Sequence, residues 1–380
     1  MKIAFRTDAS LQMGSGHVMR CLTLADALRA QGAQCHFISR AHPGNLISTI
    51  QQRGYKVNSL VAPVQKAQAA IKNSAIEVPE LQPKQQIEPA HAAWLGSTWQ
   101  ADATVTSAIL ASLQPNWLVV DHYALDQHWG SALQPHYKKL MVIDDLADRA
   151  HVCDLLLDQN LGRQPQDYAK LVPGRCQVLT GPQYALLRPE FAALRPYSLQ
   201  RRQAQTSIGK LLITMGGVDQ DNATEQVLQA LKTCALPQAC RISVVMGLTA
   251  PWLQNVRELA AQIPWPTEVV VNVNDMAQRM ADSDLAIGAA GSTSWERCCL
   301  GVPTLMAVLA ENQQPGAQAI EVAHAARLIG AVSDIATQLP LAVAELIESE
   351  RQSRMSLAAS AVTDGRGVEK VLSAMGVINA

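Results

Sequence analysis

A short apolar run that ends in a glycine or polar turn and gives way to a helix recurs along this chain, on both sides of one compositional break. "KIAF" passes through "GSGHV" into a helix, "KLLITMGG" into "NATEQVLQAL", and "DLAIGAAG" into "STSWERCCLG". The runs "NWLVVDHY", "KLMVIDDL" and "CDLLLDQN" have the same character. Strands that are apolar on both faces need helices on both faces, which implies parallel sheets. In such sheets ligands sit at the carboxyl ends of the strands, where these runs turn polar.

The break, "LLRPEFAALRPYSLQRRQAQTSIG", is rich in Pro, Arg, Gln and Ser. It divides the chain into a domain over 1–195, a linker over 196–205 and a domain over 206–380, with a last helix able to pack back on the first domain. The expected fold class is α/β: two Rossmann-like doubly wound domains facing across a ligand cleft. With 380 residues, 48% of them hydrophobic, the chain can bury two cores. A Gln/Pro/Ala-rich stretch over 61–92 carries weak signals and reads as an irregular insertion.

The formal net charge of -1 leaves no electrostatic footprint for nucleic acid or an anionic membrane, and aromatic residues at 4% offer few base-stacking platforms. Eight cysteines without a C-x-x-C pair read as reduced thiols, Cys298 and Cys299 among them as buried helical residues. The chain goes straight into a strand, and no apolar run is long enough to span a bilayer. These features predict a cytoplasmic protein with a small-molecule partner.

The first loop, Gly14-Ser15-Gly16-His17-Val18-Met19, lacks the third glycine of a dinucleotide fingerprint and is not a P-loop. Its glycines permit a sharp turn and close approach of a ligand. His17 falls in the first turn of a helix predicted over about 16–30. The positive end of the helix dipole disfavours imidazolium there, and a neutral imidazole can accept a proton. His17 is either a general base or a helix-capping residue. Asp8, after the first strand, either fixes the imidazole tautomer or is an ordinary turn aspartate.

In the second half, Gly216-Gly217 and Gly288-Ala289-Ala290-Gly291 each link a strand to a helix, presenting backbone N–H groups where a diphosphate could bind. Ser292 and Thr293 cap the second helix, donate to phosphate, or both. Glu296, in its first turn, either gains from the dipole in a purely structural role or accepts both hydroxyls of a ribose. Asn312 and Gln313 follow a buried strand, where side-chain amides read sugar hydroxyls or acetamido groups, or merely make a turn. Asp121, His122, Tyr123, Asp144, Asp145, Asp158 and Asn160 cluster at strand ends of the first half. Arg149 and Arg188 are candidate phosphate or interdomain contacts. The spacing of these groups gives no metal motif, and no cofactor is expected.

Taken in order, "FRTDASLQMGSGHVMRCLTLADAL", "WLVVDHYALD", "VIDDLADR", "DLLLDQNL", "GPQYALLRPEF", "ITMGGVDQDN" and "GAAGSTSWERCCLGVPTLMAVLAENQ" resemble the UDP-2,4-diacetamido-2,4,6-trideoxy-β-L-altropyranose hydrolases of pseudaminic acid biosynthesis. The likeness spans roughly 1–60 and 94–330. It implies a GT-B-like fold, UDP on the C-terminal domain, and a catalytic histidine falling on His17 that activates water at the anomeric carbon. It places Asp8, Gly16, Gly216, Gly217, Gly291, Ser292, Thr293, Glu296, Asn312 and Gln313 against a UDP-linked diacetamido-trideoxy sugar, in a metal-independent reaction. Three rivals stay open from the residues themselves. They are a transferase that hands the sugar to an acceptor, a UDP-sugar-binding protein without turnover, and a nicotinamide enzyme.

Overall fold

In a computed structural model, residues 1–61, 88–204, 207–248 and 250–378 are described. Most of the 61–92 insertion lies outside them. The first half contains β1 (Lys2–Thr7), α1 (Gly16–Ala30), β2 (Gln34–Arg40), α2 (Ile47–Gln52), β3 (Lys56–Leu60), α3 (Trp99–Leu113), β4 (Trp117–Asp121), α4 (Gln127–Leu133), β5 (Lys139–Ile143), β6 (Leu155–Asp158) and β7 (Gln177–Thr180). Its strands form a parallel sheet in the order β3-β2-β1-β4-β5-β6-β7.

After α5 (Pro189–Gln203) come β8 (Lys210–Thr214), α6 (Ala223–Leu231), β9 (Arg241–Met246), α7 (Leu253–Ala260), β10 (Thr267–Val271), α8 (Met276–Asp282), β11 (Leu285–Ala289), α9 (Thr293–Cys299), β12 (Thr304–Val308), α10 (Gln314–Val322) and β13 (Arg327–Ala331). The second sheet is again parallel, ordered β10-β9-β8-β11-β12-β13. Helices α11 (Ile335–Leu346), α12 (Ser349–Val362) and α13 (Gly367–Ala374) complete the chain.

Both sheets reverse direction of winding beside their first strand. The crevices for ligands therefore open between β1 and β4 in one domain and between β8 and β11 in the other. Strand β4 is buried throughout, as are β11 and β12, which accounts for their unbroken apolar character.

The segment expected as a linker over 196–205 is, for most of its length, the second half of α5. Its Ala, Leu, Arg and Gln residues favour helix, and the helix tolerates Pro196 because tertiary contacts hold it. Arg202 donates to the carbonyls of Leu300, Ser283 and Met280, while Arg195 donates to those of Cys299, Thr363 and Ser360. Cations thus satisfy orphan carbonyls at helix ends. Phe191, with Ala185 and Leu187, packs into the core of the second domain. The boundary read at 195–206 therefore falls earlier in packing terms, just after β7. Polar residues on the outer face of α5 gave it the composition of a linker. Helix α13 packs back on α1, burying Val371, Leu372 and Met375 in the core of the first domain.

Candidate functional site

The loop after β1 enters α1 with His17 as its second helical residue, 8% exposed. Its Nδ1 lies 2.5 Å from Asp121 Oδ1, at the end of β4. A carboxylate can only accept, so Nδ1 carries a proton, and in the neutral tautomer that this selects the lone pair is on Nε2. Arg20, one turn along α1, donates to both oxygens of Asp121 at 2.6 and 2.7 Å. It also grips Asp145 beyond β5 at 3.0 and 2.8 Å. Burial alone would raise the Asp121 carboxyl, but Arg20 and His17 outweigh it and hold the group well below the usual carboxylate range. Asp121 is therefore an anion that orients the imidazole.

Tyr123 closes the other side of His17. The two rings meet edge to face with centroids 4.5 Å apart, and the Tyr123 hydroxyl donates to Asp145 at 2.6 Å. Trp94 stacks on Tyr123 at 5.7 Å and His91 lies 5.5 Å from it, giving the imidazole an aromatic surround.

Asp8 does not reach His17. It accepts from Arg6 Nη1 and the Arg40 backbone N–H, each at 2.6 Å, and its other oxygen faces His122 Nε2 at 3.3 Å. His122 Nδ1 accepts from the Ala124 N–H, so its ring proton is on Nε2, the nitrogen nearer Asp8. Of the two readings of Asp8, fixing the His17 tautomer does not hold: Asp8 is fully buried among its own partners, and Asp121 reaches Nδ1 because β4 lies beside β1. Arg149 is tied to Asp144 and Asp148, and so holds its own domain together.

The second domain brings its glycine turns to the same place. A methyl added to Gly217 would lie 3.5 Å from Ser15 Oγ, and one added to Gly16 would lie 3.6 Å from Ser292 Oγ. The loop carrying His17 thus faces both turns across the cleft. Gly216 adopts φ +88°, and a side chain on Gly247 would strike the Gly217 carbonyl, so this turn is built from backbone alone. The start of α6 is already capped: Asp219 accepts from the N–H groups of Ala223 and Thr224 at 2.8 and 2.9 Å. Among the described residues no side chain caps α9, which begins at the Gly291-Ser292-Thr293 turn.

Gln313 Oε1 accepts from the Leu309 N–H, and its Nε2 lies 4.0 Å from a methyl built on Gly291. Asn312 is exposed beside it. From the first domain, Asn160 Oδ1 lies 3.6 Å from a methyl built on Gly316, near the start of α10. Glu296 is partly buried and its nearest cation, Arg188, is 3.9 Å away. Burial pushes its carboxyl up to about 7 against the pull of Arg188 and Arg297. Among the described residues no cluster of His, Cys, Asp or Glu could hold a metal ion. None of their helices is long and apolar enough to cross a membrane.

Residues 210–370 match the family described as glycosyltransferase family 28 C-terminal domain. The whole chain superposes on the crystal structure of Acinetobacter baumannii MurG with a TM-score of 0.68, covering 99% of both chains at 15% identity. The fold is GT-B-like. Among curated relatives, the UDP-2,4-diacetamido-2,4,6-trideoxy-β-L-altropyranose hydrolase of Campylobacter jejuni is 25% identical over 294 residues, 77% of this chain and 86% of that protein. An uncharacterized protein of Methanocaldococcus jannaschii is 23% identical over 317 residues, 82% of this chain. The match spans only 56% of the length of that archaeal protein. The resemblance to the hydrolase read from the motifs is thus matched by a curated relative of that name.

The residues that sequence reasoning missed are those that serve others: Arg20 behind Asp121 and Asp219 at α6, while Asp145, read only as one of several strand-end acids, shares Arg20 with Asp121. The order of a doubly wound sheet, in which the fourth strand lies beside the first, was the available signal for pairing Asp121 with His17.

Proposed function

We propose that this chain hydrolyses UDP-2,4-diacetamido-2,4,6-trideoxy-β-L-altropyranose to UDP and 2,4-diacetamido-2,4,6-trideoxy-L-altrose, with His17 as general base. The observation that carries the reading is the Asp121–His17 pair, with Nε2 left open, set opposite the paired glycine turns of the other domain. The relative of that name in C. jejuni supports the choice of sugar.

In this reading UDP lies on the second domain, with its diphosphate against the Gly291-Ser292-Thr293 turn and its ribose hydroxyls donating to Glu296. The sugar extends toward His17, with Asn312 and Gln313 beside its acetamido groups. A water held by Nε2 attacks the anomeric carbon. Its proton passes to Nε2, the bond from that carbon to the diphosphate oxygen breaks, and the electron pair leaves with UDP. Asp121 stabilises the imidazolium that forms. Turn N–H groups and hydroxyls stabilise the charge gathering on the diphosphate.

Release of UDP and free sugar from that substrate, with chelator present and no acceptor, tests this directly. The wild type should turn over, and His17→Ala should lose about 10²- to 10⁴-fold in kcat while still binding UDP. Release only on adding a sugar acceptor would make the chain a transferase, the reaction class named in the matched family. Binding without release under either condition would make it a nucleotide-sugar-binding protein.

A further inference from the structure

One buried charge in the second domain has no counter-charge. Arg297, on α9, is 1% exposed. Its Nη2 donates to the Ala289 carbonyl at 2.8 Å and to Ser294 Oγ at 3.1 Å, and its Nη1 donates to Thr293 Oγ1 at 3.1 Å. Its Nε is buried without a partner. Among the described residues no carboxylate pairs with it, and the neighbouring Glu296 turns to Arg188 instead. A buried cation satisfied only by neutral groups is costly, since such charges are ordinarily paired.

The place of this guanidinium explains why the cost is borne. A methyl on Gly288 would lie 2.6 Å from Arg297 Nη1 and 3.1 Å from the Thr214 carbonyl. Arg297 therefore occupies the space that Gly288 vacates, at the switch point between β8 and β11 and beneath the glycine turns that follow both strands. Thr293 Oγ1 accepts from the guanidinium, which directs the hydroxyl's own proton away from it. Ser294 is held in the same way from below.

We infer that Arg297 is a positioning residue for a nucleoside diphosphate: it supplies the positive field under the Ala289–Thr293 turn and sets Thr293 as a hydroxyl donor to the phosphates. The inference rests on the reading of this turn as the diphosphate site. An arriving dianion completes the charge pair that the free protein lacks, and it does so without touching the arginine. Burial lowers the guanidinium to about 10, which leaves it charged at neutral pH.

The test is a ligand-charge series. Uridine, UMP and UDP are titrated calorimetrically into the wild type, Arg297→Met, Arg297→Lys and Thr293→Val at two salt concentrations. The wild type should bind UDP far more tightly than uridine. Arg297→Met should cut that preference at least about tenfold, the worth of one charge-assisted contact, and weaken its salt dependence. Arg297→Lys should restore part of it. Thr293→Val, which keeps the arginine buried, should reduce the preference without changing uridine affinity, and so carries the test if Arg297→Met does not fold. Equal losses for uridine and UDP in Arg297→Met, with no change in Thr293→Val, would make Arg297 a merely structural residue and overturn the inference alone. A wild type that binds UDP no more tightly than uridine would overturn the diphosphate site itself, and this inference with it.

Discussion

Replacing Glu296 by Gln tests whether the nucleotide site is held in a costly state before its ligand arrives. Burial moves the Glu296 carboxyl from its ordinary 4.5 to about 7 in the folded chain. Between those values the folded protein keeps a proton that the unfolded chain has released. Stability therefore falls as pH rises through this window, by about 1.4 kcal/mol per pH unit. Over the 2.5 units from 4.5 to about 7 the loss comes to about 3 kcal/mol, complete above the folded value. Glu296→Gln keeps the shape of the side chain and removes the proton equilibrium. Urea unfolding of both proteins from pH 5 to pH 8 should show the variant gaining steadily on the wild type, with the difference levelling off above about pH 7. Burial and the Asp145 charge push Asp158 up as well, and burial lowers His36, His91, His122 and His151, so the wild-type slope is shared among several groups, and the difference between the proteins isolates Glu296. Saturating UDP should then narrow the gap at pH 8. A ligand at 100 times its Kd adds about 2.7 kcal/mol to the wild type, and on the proposed function a variant without the Glu296 carboxylate gains less. Curves that stay parallel across the whole pH range would refute the argument, since no other consequence of the substitution tracks that window.

Asp121→Asn should lower kcat about 10²- to 10⁴-fold with little change in KM, because the imidazole loses the anion that fixes its proton on Nδ1. Steady-state kinetics would separate the two constants. The same variant should lose about 1–3 kcal/mol of stability, since Arg20 keeps only Asp145 as a carboxylate partner. Gly367→Ala should destabilise the chain by about 1–3 kcal/mol, as its methyl would fall 2.4 Å from the Ala185 carbonyl, a backbone atom that cannot swing aside. Hydrogen exchange should show the loss first in α13 and α1, with the second sheet unaffected.

Much of this architecture is written in local patterns. Helix α1 spans Gly16–Ala30 as its apolar spacing predicts, and the strands at "QCHFISR", "KLMVI" and "LLLD" lie where their apolar runs place them. Local pattern fails where a residue's partner comes from another strand. Asp8 is the carboxylate that precedes the His17 loop directly in sequence, yet Arg6, Arg40 and His122 claim it. Asp121, a hundred residues away, holds the imidazole. The α5 segment misleads for a different reason. Its buried face is narrow, Phe191, Ser198 and Arg202, so its composition is dominated by the residues that face water. Arg297 is hidden in the same sense: nothing in "SWERCC" distinguishes a surface arginine from one lying under a turn, because Gly288, nine residues earlier, decides it.

The return of α13 to the first domain means that the backbone passes between the two halves twice. The passages lie side by side: Gly367 rests on Tyr184 and Ala185, Gly365 on Ala192, and Arg195 holds the Thr363 carbonyl. They form a spine along one edge of the molecule, like that of a book, with His17 and the Ser292 turn on its facing pages. Turning the pages about that spine changes the gap between Ser15 and Gly217 while both sheets keep their strand pairing. On the proposed function, torsion about a few residues near 185 and 365 would set the width of the gap that a nucleotide sugar enters.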